Sequence, residues 1–286
     1  MRGAWPALAA WVLRASLAVA QDASAPVVDA SVATVDAAAS PPDPAPVPDP
    51  DDPSGATTAE DDAAARAVGP DDEAGAPEGG ELPETAALAA EIAEMSPRTC
   101  LRALARAHVD YERPRSAPPG IETPVVVRGP IRGVTFRASD APAGHELMDC
   151  RLAVSLARFA TLLRALHVRE VRHYSMVRGP SSREPLRDGL YPGHPGGMAI
   201  DAAVFVRDDG SVLDVLRDYR GRRGRPPCGA RARVAATEPA RTLRTIQCES
   251  ARRGWFHVVL GPNFNVAHRN HLHLEVARGV CWLFVR

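Results

Sequence analysis

Two short stretches of this sequence carry side chains suited to holding a metal ion. Gly193 to Phe205, GHPGGMAIDAAVF, contains His194 and Asp201 in H-x6-D spacing, and Ala267 to Val276, AHRNHLHLEV, contains His271 and His273 as H-x-H. An imidazole, a carboxylate and a second imidazole fill three corners of a tetrahedron around zinc and leave the fourth open, which is how a catalytic zinc is held. A fourth side chain, the extra histidine, is then available as a base toward water at the open position. Neither pair alone is specific. Nine histidines in 286 residues fall close together by chance, and it is the two clusters on suitable elements that point to a site.

Those elements follow from pattern. HLHLEV alternates polar and apolar residues and reads as a β-strand. Residues two apart on a strand share a face, so His271 and His273 project into one cavity. AIDAAVFV reads as a second strand with Asp201 near its start. His194 falls in the Pro/Gly loop just before it, where Gly193, Gly196 and Gly197 let the backbone pass close to a metal. Around this pair of strands the sequence predicts helices over Thr99 to Val109, Gly144 to Leu166 and Pro239 to Arg253. It predicts strands within Thr123 to Phe136, over Val168 to Val177 and over Trp255 to Leu260. Asp208-Asp209-Gly210 is a hairpin turn signal into SVLDVL. The expectation is an α+β domain, an antiparallel β-sheet with flanking helices, large enough for one core.

Composition divides the chain. Residues 1–20 read as a signal peptide: Arg2, an apolar run, then Ala18-Val19-Ala20 ahead of Gln21. No other apolar run has membrane length, so no transmembrane segment is expected beyond the signal peptide. Residues 21–94 hold 18 Asp/Glu against one basic residue, Arg66, and no aromatics. Such a Pro/Ala-rich acidic segment buries too little apolar surface to offset its chain entropy and is expected to be a disordered linker, with a short helix over Glu84 to Met95 leading into the domain. Residues 95–286 form the expected domain and invert the balance, with 31 Arg against 17 Asp/Glu and no Lys anywhere in the chain. The basic run from Arg217 to Arg233 reads as an exposed loop. Export makes nucleic acid an unsuitable partner for this charge and makes an anionic polymer of the envelope a suitable one. Five cysteines, at 100, 150, 228, 248 and 281, allow two disulfides with one left over, and the spacing does not give the pairing.

The motifs resemble a known family. His194, Gly197, Ala199 and Asp201 spell H-x-x-G-x-A-x-D, and with the later H-x-H this resembles the lysostaphin/D-Ala-D-Ala-peptidase/hedgehog (LAS) metallopeptidase superfamily. Within it, VVLGPNFNVAHRNHLHLEV, Val258 to Val276, is similar to the tail of the bacterial extensin-like C-terminal domain family. The resemblance runs from about Cys100 to Val276. It departs in YSMVRG, where relatives carry the cysteine of Y-x-C-R and this chain has Met176 near that place.

The resemblance implies a hedgehog/D,D-peptidase-like fold and one Zn2+ per chain held by His194, Asp201 and His273. It implies His271 as the base and Arg178, upstream of the first motif, as the cationic partner of an oxyanion. The implied reaction is peptidase cleavage of D-amino-acid peptides in peptidoglycan by an exported protein of the periplasm or cell envelope, or a secreted one. The alternative is a zinc-containing wall-binding or structural envelope module without turnover. His268, Asn265 and Asn270 are expected to support the site without ligating.

Overall fold

A computed structural model describes residues 84–139, 146–178 and 189–286. The expected signal peptide and most of the expected acidic linker lie outside the described residues, as does His145. The end of the linker does not. Glu84–Ala93 forms helix α1, and its Ala86, Ala89, Ile92 and Ala93 are buried, so the fold takes in residues that composition assigned to the linker. These four small or apolar residues recur at helical spacing, which gives the helix a face to bury.

Helix α2 (Pro97–Arg106) starts where Ser96 caps it, its side chain accepting the Thr99 N–H at 3.3 Å, with Pro97 in a position where a missing N–H is no loss. Helix α3 (Cys150–Ala165) is apolar almost all round and is the core helix. It begins six residues later than its periodicity suggests. Leu147 and Met148 match the helical phase, but Glu146–Asp149 is instead a strand (β4), paired antiparallel with Pro124–Val127 (β2), which in turn pairs with Tyr111–Glu112 (β1). Asp149 decides the boundary: one carboxylate oxygen accepts the Arg151 N–H at 2.9 Å as helix cap, and the other accepts the Thr123 N–H at 2.9 Å.

The larger sheet has seven strands. Its path runs Phe284–Val285 (β10), Val258–Leu260 (β8), Leu272–Glu275 (β9), Ala199–Arg207 (β6), Val168–His173 (β5) and Thr135–Ala138 (β3), with Val212–Asp214 (β7) also on β6. The Asp208–Gly210 turn joins β6 to β7 as an antiparallel hairpin, as the sequence predicts. The sheet is mixed, not purely antiparallel, because β3 pairs parallel with β5 and β10 parallel with β8. A short helix α4 (Val215–Asp218) and helix α5 (Glu238–Arg252, capped by Thr237) complete the α+β domain. Phe159 of α3 meets Phe256 edge-on at 5.7 Å in the core.

Cys100–Cys150 and Cys228–Cys248 are disulfides, and Cys281 is free and exposed. The first ties α2 to the start of α3. No helix among the described residues is long and apolar enough to cross a membrane.

Candidate metal centre

Strand register brings the two clusters together. Asp201 of β6 and His273 of β9 are directly paired in an antiparallel ladder, so both side chains stand on one face of the sheet. Their neighbours Ile200, Ala202, Leu272 and Leu274 go to the other face and into the core, which fixes the register. His194 arrives from the turn before β6. Gly197 has φ +66°, and a Cβ on it would lie 2.8 Å from the Asp149 nitrogen, while a Cβ on Gly196 would lie 1.8 Å from the Tyr191 carbonyl oxygen. Only glycine allows the turn to press this closely on its surroundings.

β5 ends at His173, four residues before the apolar pattern stops. From there Tyr174–Arg178 folds over Asp201: the Tyr174 N–H donates to the Asp201 carbonyl at 3.0 Å, and the Asp201 N–H donates to Ser175 at 3.1 Å. This carries Ser175 and Arg178 to the site.

The three expected ligands converge. His194 Nε2 lies 3.0 Å from Asp201 Oδ1, His273 Nδ1 lies 3.0 Å from the same oxygen, and the two nitrogens are 3.3 Å apart. All three residues are buried, and as a group they could hold a metal ion. Atoms bound at about 2.0–2.1 Å to one tetrahedral ion sit about 3.3 Å from each other, so the spacing fits.

The outward atoms explain why the inward ones are available. His194 Nδ1 faces Ser175 Oγ at 3.2 Å and the Met176 carbonyl at 3.4 Å. Asp201 Oδ2 accepts from Ser175 Oγ and from the Arg178 guanidinium, each at 3.1 Å. His273 Nε2 donates to Glu275 Oε2 at 3.1 Å. Each ligand is thereby oriented through its far side, and both imidazoles are set in the tautomer that turns a lone pair inward. With both inward nitrogens deprotonated, two lone pairs and a carboxylate oxygen would face one another in a buried space and repel unless a cation sat among them, a metal ion or, without one, the proton on His273 Nδ1.

The electrostatics agree. Burial pushes the Asp201 carboxyl up, but the His194 and His271 rings and the hydrogen bonds to His194 and His273 hold it well below the usual carboxylate range. Burial pulls His273 down, yet its hydrogen bonds to Asp201 and Glu275 outweigh this and raise it to about 9. In the metal-free site His273 therefore carries the cation. Burial keeps His194 below its ordinary value despite the pull of Asp201.

His271 and Arg178 both reach this group. His271 Nε2 lies 3.5 Å from Asp201 Oδ1, and its Nδ1–H donates to Asn270 Oδ1 at 2.9 Å, while Asn270 Nδ2 donates to the Tyr174 hydroxyl at 3.4 Å. The Tyr174 ring stands edge-on to His271 at 6.0 Å. His268 closes the cluster, its ring 5.0 Å from that of His271, and burial together with His273 and His271 lowers its pKa to about 2. Its Nδ1 and backbone N–H both meet Asn265 Oδ1, a loop-structuring part and not a ligating one.

Sequence reasoning missed Glu275 and Ser175. Glu275 was findable, since 273 and 275 lie on one face of β9 and 271 precedes them in the same alternation. Ser175 sits in an irregular segment and left no signal.

No curated protein and no solved structure matches the chain. A family model described as the extensin-like protein C-terminus matches residues 98–283, which take in both disulfides and every side chain of the site. The chain belongs to the extensin-like protein C-terminus family.

Proposed function

We propose that this chain is an exported zinc-dependent hydrolase of the LAS type that cleaves short peptides of peptidoglycan. The observation that carries the reading is the convergence of His194 Nε2, Asp201 Oδ1 and His273 Nδ1, all buried and all oriented from behind, beside the Nε2 of a further histidine. A site built for structure alone normally closes with four protein ligands, and three with an adjacent base suit hydrolysis.

Zinc bound there supplies Lewis-acid chemistry, polarising a carbonyl and lowering the pKa of water toward about 7. The chain's own residues do the rest. Asn270 fixes His271 with its proton on Nδ1, so Nε2 presents a lone pair to the site and takes a proton from water as it attacks the scissile carbonyl. His271 is then placed to return that proton to the departing amine. Arg178 holds Asp201 through Oδ2 and sets positive charge beside the place where an oxyanion develops. His268, kept neutral by burial, adds no cation to compete with the metal. Two disulfides support an oxidising compartment outside the cytosol.

The test is incubation of the zinc-loaded full chain with purified peptidoglycan fragments, read by mass spectrometry. The reading expects released peptide or D-alanine from wild type and none after chelation. Absence of cleavage in a zinc-loaded wild type supports the alternative, an envelope-binding module that keeps its metal without turnover.

A further inference from the structure

The basic run that the sequence offers as an exposed loop is not featureless. Arg220, Arg222, Arg225, Arg231, Arg233 and Arg244 line one concavity of about 240 Å3. No Asp or Glu lines it, and none of the six guanidiniums is in an ion pair with a described carboxylate. Arginines elsewhere in the domain do find partners, such as Arg217 with Asp218 at 3.2 Å and Arg137 with Glu170 at 3.1 Å. Six like charges converging on one hollow repel each other, so the chain spends stability to hold them there.

The hollow is also built to keep its shape. The Asn263 side chain accepts the Arg222 N–H at 2.8 Å and donates to the Arg225 carbonyl at 2.8 Å, while the Gly224 N–H donates to the Asn263 carbonyl at 2.8 Å. A Cβ on Gly221 would lie 2.1 Å from Asn263 Oδ1, so no other residue fits there. Arg220 is held in the left-handed region at φ +53°, which disfavours any side chain but glycine by about 1–2 kcal/mol. Arg244 donates to the Arg220 and Arg233 carbonyls and lies over the Tyr219 ring at 5.5 Å. Cys228–Cys248 staples the loop to α5. These restraints fix the backbone and leave Arg222, Arg225, Arg231 and Arg233 exposed.

We propose that this concavity is a binding site for an acidic glycan, one whose successive units carry carboxylate or phosphate groups. Guanidinium forks pair with either oxyanion in bidentate fashion, and several of them call for a ligand with several charges. No aromatic residue lines the hollow to stack a base, and Tyr219 is covered by Arg244, so the site lacks the platform that single-stranded nucleic acid needs. The site is independent of the hydrolytic reading. It shares with the metal centre only the loop between β8 and β9, which supplies Asn263 here and His268 and His271 there.

The experiment is fluorescence anisotropy of labelled octamers with the full chain in 0.1 M salt. The probes are a uronic acid octamer, a phosphorylated maltooctaose, neutral maltooctaose and a DNA octamer. Either acidic glycan is expected to bind, with the neutral one at least tenfold weaker; which acidic glycan binds tells whether carboxylate or phosphate is recognised. Arg222→Gln/Arg225→Gln is expected to weaken binding at least tenfold, since only the backbone of these residues holds the fold. Arg98→Gln/Arg102→Gln, the same charge change on the exposed face of α2, is expected to change it less than twofold. His273→Ala is expected to leave it unchanged, which separates this site from the metal centre. No binding of either acidic glycan, equal weakening by both double variants, or tighter binding of DNA than of both acidic glycans overturns the proposal.

Discussion

Replacing Glu275 by Gln isolates what the carboxylate behind His273 does. The amide still accepts the Nε2–H, so the tautomer is kept and only the charge is lost. The bond is 3.1 Å long and both partners are buried, so water does little to screen it. Removing such a partner lowers metal affinity about 10–100-fold, and a substitution that keeps the acceptor belongs at the lower end, about tenfold or about 1.4 kcal/mol. A proton effect opposes this. His273, raised to about 9 by its hydrogen bonds to Asp201 and Glu275 against the effect of burial, must release a proton before it can ligate. Wild-type affinity therefore climbs about tenfold per pH unit below that value, or about 100-fold from pH 6.5 to pH 8.5. Without the Glu275 charge the proton is held less tightly, and the variant climbs less steeply. The two affinities should lie close together at pH 6.5 and part toward pH 8.5, wild type being the tighter. Zinc titration against a chromophoric chelator at five pH values measures both curves. Parallel curves, or equal affinities at pH 8.5, would refute the role of Glu275 and the tautomer assignment behind it.

His271→Asn should lower peptide cleavage by about 100-fold or more while zinc stays bound, read by single-turnover kinetics beside metal analysis. Gly197→Ala, which forces a side chain into φ +66° and toward the Asp149 nitrogen at 2.8 Å, should lower stability by about 1–3 kcal/mol in urea unfolding and weaken metal binding with it. Cys100→Ser/Cys150→Ser opens a loop with a sequence separation of 50 and should lower stability by about 4 kcal/mol, shown by an earlier urea midpoint.

Two of the three side chains that could hold a metal ion were legible because they sit on regular elements, and His194, in the turn before β6, read only from its spacing to Asp201. A strand shows its faces as alternation, so 271 and 273 read directly, and Asp201 reads from the strand it opens. The parts that failed to read depend on tertiary contacts. Leu147 and Met148 keep helical phase, yet β2 captures them as a strand because Asp149 caps the helix and binds the Thr123 N–H at once. Tyr174–Val177 continues an apolar pattern but leaves β5 to wrap Asp201, which hid Ser175. The parallel pairing of β10 with β8 joins segments separated by the whole 261–283 stretch, a distance that no local pattern reports. The arginine hollow looked like a solvated loop because its shape comes from Asn263 and a disulfide, both distant in sequence.

The most direct test is the zinc content of the purified full chain after dialysis, wild type beside His273→Ala, with circular dichroism to verify folding. The account predicts about one zinc per wild-type chain and loss of that zinc in the folded variant. A folded wild type without bound metal, or equal metal in both, would contradict it.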